Sequence, residues 1–405
     1  MDDDSQLAKI RAAACNTTYV SLGSRRTNSV HEFYRYPARF SPELVRSLVE
    51  AFTSPGDFVL DPFVGGGTTL VECRLLGRVA VGADISSLAV FVSRAKTGLI
   101  SYAVREALKE FAGRIEGLRL NTAVEIPEQL LDFGYMRHLG RPDTYRLRNL
   151  IALVLRDIDA LPRGKLLTRC ALLRTAQWAL DMRSVVPTVQ EFRETLAASI
   201  HQMAEVAHAY TSSVRRVDRV VPTLLRRTMT IRAPSPGLSS DPRLSSYPAP
   251  RLVVTSPPYP GVYVNYHRWK LLGRHETPAP FWIAGSLDGK GLSYYTMGAR
   301  ADPTLSTYFT RLEAAWRDIV RIADFDTWFV QVVGFNQPGA QLPRYLEVMR
   351  RCGLREVRPR GTGTAQDGRL WRSVPSRRWW VVAGSRGQAA PSTSEEVVLF
   401  HRLAT

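Results

Sequence analysis

Phe58-Val59-Leu60-Asp61 is a short apolar run ending in an acid, followed at once by Pro62-Phe63-Val64-Gly65-Gly66-Gly67-Thr68-Thr69. The run reads as a strand, the glycines as a turn, and Leu70 to Leu76 as a helix that the turn opens. Val79-Ala80-Val81-Gly82-Ala83-Asp84 is the next strand, and it too ends in an acid. Asp84 stands 23 residues after Asp61, near the about 20 that separate a nucleotide-binding glycine turn from the acid holding a ribose. Glycines let the backbone approach a ligand, and the acid can accept from ribose hydroxyls. The plainer alternative is a turn that needs positive φ, with an aspartate capping a helix.

A second motif lies far downstream. Arg251-Leu252-Val253-Val254 is a β-branched run that reads as a buried strand, and Thr255-Ser256-Pro257-Pro258-Tyr259 sits where it ends. Two consecutive prolines fix φ and remove two donors, so the turn is rigid and its carbonyls point outward. Ser256 adds a hydroxyl and Tyr259 a flat aromatic face, so acceptors and a stacking surface converge on one turn. That combination suits a planar base with an exocyclic amine; an ordinary Pro-Pro turn closing a strand is the alternative.

Four stretches follow from pattern and composition. Residues 1–29 are polar and read as an irregular arm; 30–100 carry the glycine turn; 101–227 lose strand patterns and take on helical spacing; 228–405 return to strands around the Pro-Pro turn. Ser41 before Pro42 marks a helix start, with Leu44, Leu48, Val49 and Phe52 as its apolar face. In the middle stretch the spacing predicts helices over 104–118, 145–159, 166–180 and 189–209. Downstream it predicts a short strand over 228–231, a mobile glycine-rich loop over 285–300, a helix over 305–323, a strand over 328–333, a helix over 345–351, and late strands at 379–382 and 397–400. Val262 to Lys270 packs aromatic, amide and basic groups directly after the turn, as the wall of a base pocket would.

Charge narrows the partner. Lys+Arg is 54 against Asp+Glu 37, a net +17 with pI about 10.1, which points to a polyanion. Only six of those bases are lysine. Arginine suits bidentate phosphate and guanine contacts, although a GC-rich coding sequence produces the same bias. Arg358, Arg360, Arg369, Arg372, Arg377 and Arg378 fall in one glycine-containing run that could follow a nucleic acid backbone. Cys15, Cys73, Cys170 and Cys352 are scattered, with no metal-ligand spacing, and the chain shows neither a leader nor an apolar run of about 18 residues. The reading is a soluble cytoplasmic protein with no membrane or metal partner.

Asp61 to Thr69, Asp84 and Thr255 to Tyr259 together resemble the S-adenosylmethionine-dependent DNA amino-methyltransferases of the cytosine-N4 and adenine-N6 type. The segment Tyr36-Pro37-Ala38-Arg39-Phe40-Ser41-Pro42 is similar to the one that precedes the cofactor turn in that family. The likeness spans roughly 30–97 and 228–400, and the S-P-P-Y form resembles that of cytosine-N4 enzymes. Many of those run the Pro-Pro turn first, whereas here the glycine turn comes first. The resemblance implies an α/β, Rossmann-like methyltransferase fold with a mostly parallel seven-stranded sheet and a large helical insertion between the second and third strands. It implies Ser256, Pro257, Pro258 and Tyr259 as the catalytic turn acting on a flipped-out base. It implies Phe40, Asp61, Phe63, Gly65, Gly67, Thr68, Thr69 and Asp84 around S-adenosylmethionine. Double-stranded DNA would be the partner, with room for a cognate restriction enzyme, and the insertion is the candidate target-recognition region. Alternatives are an adenine-N6 enzyme, an RNA base methyltransferase, and an inactive DNA-binding scaffold.

Overall fold

The computed structural model describes residues 3–15, 29–36, 40–118, 127–221, 223, 227–261, 268–288, 297–298, 302, 304–374 and 395–404. Ten strands are present among them: β1 (Phe58–Asp61), β2 (Val79–Asp84), β3 (Thr228–Arg232), β4 (Leu252–Thr255), β5 (Trp269–Leu271), β6 (His275–Thr277), β7 (Trp328–Gly334), β8 (Leu354–Val357), β9 (Leu370–Ser373) and β10 (Glu395–Leu403). Eight form one sheet in the order β3-β2-β1-β4-β7-β10-β8, with β9 paired to β10 off that path. β1 to β4 and β7 are parallel, while β10 runs antiparallel to β7, β8 and β9. The fold is therefore the Rossmann-like α/β sheet, with β9 as a strand beyond the seven expected. β5 and β6 form a separate hairpin.

The order fixes where a ligand can sit. From β1 the chain winds outward through β2 and β3, then returns to the other side of β1 to lay down β4. The sheet reverses between β1 and β4, and the crevice beyond the carboxyl ends of such strands is the binding position of an open α/β sheet.

Alternation along each strand divides the core in two. Phe58, Leu60, Val79, Val81, Val253, Phe329, Val333, Val397 and Leu399 face helices Ser306–Val320 and Pro338–Arg351. Val59, Ala80, Leu252, Val254, Val330, Val332 and Val398 face helices Pro42–Phe52 and Thr68–Leu75. Helix Pro42–Phe52 starts as the sequence indicates, with Ser41 accepting from the Leu44 amide and Pro42 in the first turn.

Several boundaries differ for identifiable reasons. Asp3–Cys15 is a helix rather than an irregular arm, because Ile10 and Ala14, one turn apart, are fully buried against the Leu44 and Leu48 cluster. The last middle helix is Val189–Val220, 32 residues long, entered by a Thr188–Glu191 capping box and carried past Ala209 by buried Tyr210, Thr211 and Val214. The helix expected over 345–351 starts at Pro338 and runs with Pro343 inside it. Expectations at 379–382, 262–267, 37–39 and most of 285–300 lie outside the described residues.

Between β2 and β3, among the described residues, lie six helices: Ser87–Thr97, Tyr102–Glu116, Glu128–Asp132, Tyr145–Asp159, Lys165–Leu180 and Val189–Val220. Their core is continuous: Leu88 and Val92 join Phe111, Leu150, Val154, Leu172, Phe192 and Ile200, and Trp269 and Phe281 enter from the chain after the Pro-Pro turn. Polar ties reinforce this, since the Lys270 amide donates to Asp181 at 3.0 Å and Trp269 Nε1 to Tyr34 Oη at 3.3 Å. The far end is pinned by Asp218, which pairs with Arg74 at 2.7 Å and Arg227 at 2.9 Å.

Gly82 in β2 shows how closely the glycine turn is packed on the sheet. A Cβ there would stand 2.5 Å from Val64 Cγ2 and 3.1 Å from Leu70 Cδ1. Gly82→Ala should cost about 1–3 kcal/mol of stability through overpacking, read as a lower urea midpoint at unchanged m-value; an unshifted midpoint contradicts this packing.

Candidate active site

Asp61 ends β1 with its side chain turned into the protein. Oδ1 accepts from the Phe63 amide at 3.2 Å and from Thr255 Oγ1 at 2.7 Å, and Oδ2 accepts from Thr69 Oγ1 at 2.6 Å. One carboxylate thus ties β1, the glycine turn, the following helix and the end of β4. Burial pushes its pKa up to about 6 against the pull of those donors. Thr69 is spent on this contact and is fully buried.

Gly65 and Gly67 have φ of 47° and 78°, and Gly67 caps helix Thr68–Leu75 in the left-handed region. A Cβ on Gly67 would lie 2.8 Å from Ser93 Oγ and 2.9 Å from Ser93 Cα, which leaves no room for a side chain, and one on Gly66 would lie a tight 3.1 Å from Tyr36 Cβ. The Gly65 amide donates to Asp84 Oδ2 at 3.0 Å and the Ser86 amide to Oδ1 at 2.8 Å. Asp84 is partly exposed, and burial raises its pKa to about 6 as well. Thr68 is buried at the helix start. Phe63 and Phe40 belong to different faces, Phe63 with the Tyr259 and Tyr308 cluster and Phe40 with Leu44 and Val64.

At the end of β4 the Pro-Pro turn is held at both ends. Ser256 is half-buried, with Oγ 3.0 Å from Tyr259 Oη. The Pro258 carbonyl accepts from buried Tyr308 Oη at 2.7 Å, while among the described residues the Pro257 carbonyl takes no donor. Tyr259 departs from expectation. The residue is only 7% exposed, and its ring lies against Gly334, where a Cβ would stand 2.8 Å from Cε2. Its hydroxyl donates to Glu396 of β10.

The arginine run is also revised. Arg369 forks onto Glu356 and Asp367, Arg358 reaches Glu356, and Arg372, 4% exposed, lies 3.5 Å from Glu396. These three are neutralised within the fold; Arg377 and Arg378 lie outside the described residues. Thr255, Tyr308, Gly334 and Glu396 were missed as site residues. The one local signal was an acid at an inward position of a β-branched strand, in Glu395-Glu396-Val397-Val398. Among the described residues no cluster of His, Cys, Asp or Glu is placed to hold a metal, and no helix is long and apolar enough to cross a membrane.

Residues 9–92 match a family model described as DNA methylase, of the N6/N4 type. Type II methyltransferase M.BsoBI of Geobacillus stearothermophilus is 37% identical over 92 residues, 22% of this chain and 18% of that protein. Type II methyltransferase M.MjaII of Methanocaldococcus jannaschii is 38% identical over 116 residues, 29% of this chain and 21% of that protein. A tRNA (guanine(10)-N2)-dimethyltransferase of Methanothermobacter thermautotrophicus is 47% identical over 51 residues, 12% of this chain and 16% of that protein. The matched stretches thus span about a fifth or less of these relatives.

Asp61 and Asp84 hold their protons to about 6 in the folded protein, above the usual carboxyl value of 3.8. Between about pH 4 and about pH 6 the folded state therefore binds more protons than the unfolded chain, and their contribution to stability falls as pH rises through that window. Asp61→Asn cannot ionise, so urea midpoints across this range should fall less steeply with pH than in the wild type. Parallel slopes would show that Asp61 does not carry the effect.

Proposed function

We propose, for a chain whose residues 9–92 match the model of N6/N4-type DNA methylases, that the protein methylates an exocyclic amine of a base in double-stranded DNA. The methyl donor is S-adenosylmethionine, and the target is N4 of cytosine. The observation that carries this reading is the Asp61–Thr255 hydrogen bond of 2.7 Å, which joins the ends of β1 and β4 and sets the glycine turn beside Ser256-Pro257-Pro258-Tyr259 at the reversal of strand order.

The residues fit the cofactor. Gly65 and Gly67 hold the turn in left-handed backbone that glycine adopts freely, and Asp84 keeps acceptor capacity beyond its backbone donors for a ribose hydroxyl. Gly65, Gly67 and Thr68 line the same turn, Phe63 and Phe40 contribute apolar surface from opposite faces, and Asp61 with Thr69 supports the turn from behind. When bound, the cofactor supplies an electrophilic methyl group on a sulfonium.

The base is rotated out of the duplex at a cost of a few kcal/mol. Ser256 Oγ and the Pro257 carbonyl accept from its amine and hold the nitrogen lone pair toward the methyl group; rate is gained by position and electrostatics rather than by a strong base. A serine where adenine-N6 enzymes more often carry Asp or Asn supports cytosine. The insertion, which shares a core with Trp269 and Phe281 just past the catalytic turn, is the proposed target-recognition region. Work on DNA sets the protein in the cytoplasm.

Nucleoside mass spectrometry of plasmid from expressing cells should show N4-methylcytosine. N6-methyladenine in its place would transfer the assignment to adenine, and label entering only tRNA would move it to RNA. Ser256→Ala should lower methylation at least about 100-fold with cofactor affinity nearly unchanged. Asp84→Ala should instead raise the cofactor Kd measured by calorimetry, because a ribose contact is made in ground and transition states alike.

A further inference from the structure

Tyr259, Glu396 and Arg372 meet although they belong to the catalytic turn and to two different strands. Glu396 sits directly opposite Gly334 on β7 and Arg372 on β9. The missing side chain at Gly334 admits the Tyr259 ring, whose hydroxyl then reaches Glu396 Oε1 at 2.5 Å, while Arg372 stands beside Oε2. Glu396 and Arg372 are each 4% exposed.

From this geometry we infer that Glu396 is a positioning residue that makes Ser256 an obligate hydrogen-bond acceptor, acting through Tyr259. The inference rests on the methyltransferase reading above. Glu396 Oε1 accepts from the Tyr259 hydroxyl, and the Arg372 guanidinium lies beside its other oxygen. Tyr259 has one hydroxyl proton, and Glu396 takes it. Tyr259 Oη can then offer Ser256 nothing but a lone pair, so the 3.0 Å contact is filled by the Ser256 hydroxyl proton. Both lone pairs of Ser256 Oγ are left for the pocket. A free serine hydroxyl would rotate between donating and accepting; here its direction is set two hydrogen bonds away by a carboxylate. The target is an amine whose protons must be accepted and whose lone pair must stay free, so a donor at that position would bind the very pair that attacks.

The test uses the intact protein and duplex DNA under single-turnover conditions. Tyr259→Phe releases the serine hydroxyl and should slow methyl transfer about 10-fold. In Glu396→Gln, Arg372 draws the amide oxygen and the amide N–H₂ turns to Tyr259, which reverses the chain: Tyr259 then donates to Ser256 Oγ, and the Ser256 proton is turned toward the pocket; the loss should be larger, about 100-fold. The double variant should be no slower than Tyr259→Phe alone, because the reversal travels through the Tyr259 hydroxyl. Cofactor Kd should stay within about twofold in all three, since only the transition-state contact changes. Equal rates for wild type and Glu396→Gln, or additive losses in the double variant, overturn the inference. Independently of activity, NMR of the cofactor-free wild type should show a slowly exchanging tyrosine hydroxyl proton that disappears in Tyr259→Phe and shifts in Glu396→Gln. Its absence also overturns the inference. A wild type that methylates no DNA refutes the methyltransferase reading, and the NMR result then still decides whether the hydrogen-bond chain exists.

Discussion

A single buried carboxylate holds the two halves of the site together. Asp61 accepts from the Phe63 amide, Thr69 and Thr255, donors that stand 2, 8 and 194 residues away in sequence. The first two shape the glycine turn and start its helix; the third fastens the end of β4 to the end of β1. Desolvation works against this arrangement, and three well-placed donors offset it. An apolar residue at this position would pack well enough, yet it would leave two threonine hydroxyls and an amide without their acceptor. Asp61 thus acts beneath the candidate site as a structural knot, a different part from the ligand contact its motif suggests.

The glycine turn and the parallel sheet were legible because their information is local. A strand, a turn that only glycine permits, a helix and a second strand follow one another within about thirty residues, and each leaves its own period in the sequence. Thr255, Gly334 and Glu396 left no such mark, because their partners are brought by tertiary pairing. Tyr259 is the instructive case. Its chemistry was visible, but its direction was not, since that depends on an empty position on β7. Arg358, Arg369 and Arg372 meet Glu356, Asp367 and Glu396, and only one of those carboxylates lies inside the run, so these pairings left no local mark either.

The helices between β2 and β3 share one apolar core with Trp269 and Phe281 beyond the Pro-Pro turn. Asp218, held by Arg74 and Arg227, fixes their far end to the helix that the glycine turn opens. The region is therefore packed against both halves of the site at once, and a rigid-body shift of these helices has to move the hairpin β5–β6 with them.

β10 inserts between β7 and β8, antiparallel to both, and it is synthesised after every other strand of the sheet. Until it arrives, β7 presents an unpaired edge to the solvent, a template for intermolecular pairing. Tyr259 leaves the ribosome 137 residues before Glu396. At about 5–20 residues per second, that interval is on the order of ten seconds. During it the nascent chain can close its glycine turn, whereas the Pro-Pro turn has neither its acid partner nor a finished floor. The order of strands in the sheet thus becomes an order in time: the half proposed to hold the cofactor is complete before the half proposed to do chemistry, and a chaperone guarding the β7 edge would have the shorter interval from Gly334 to Glu395 in which to act.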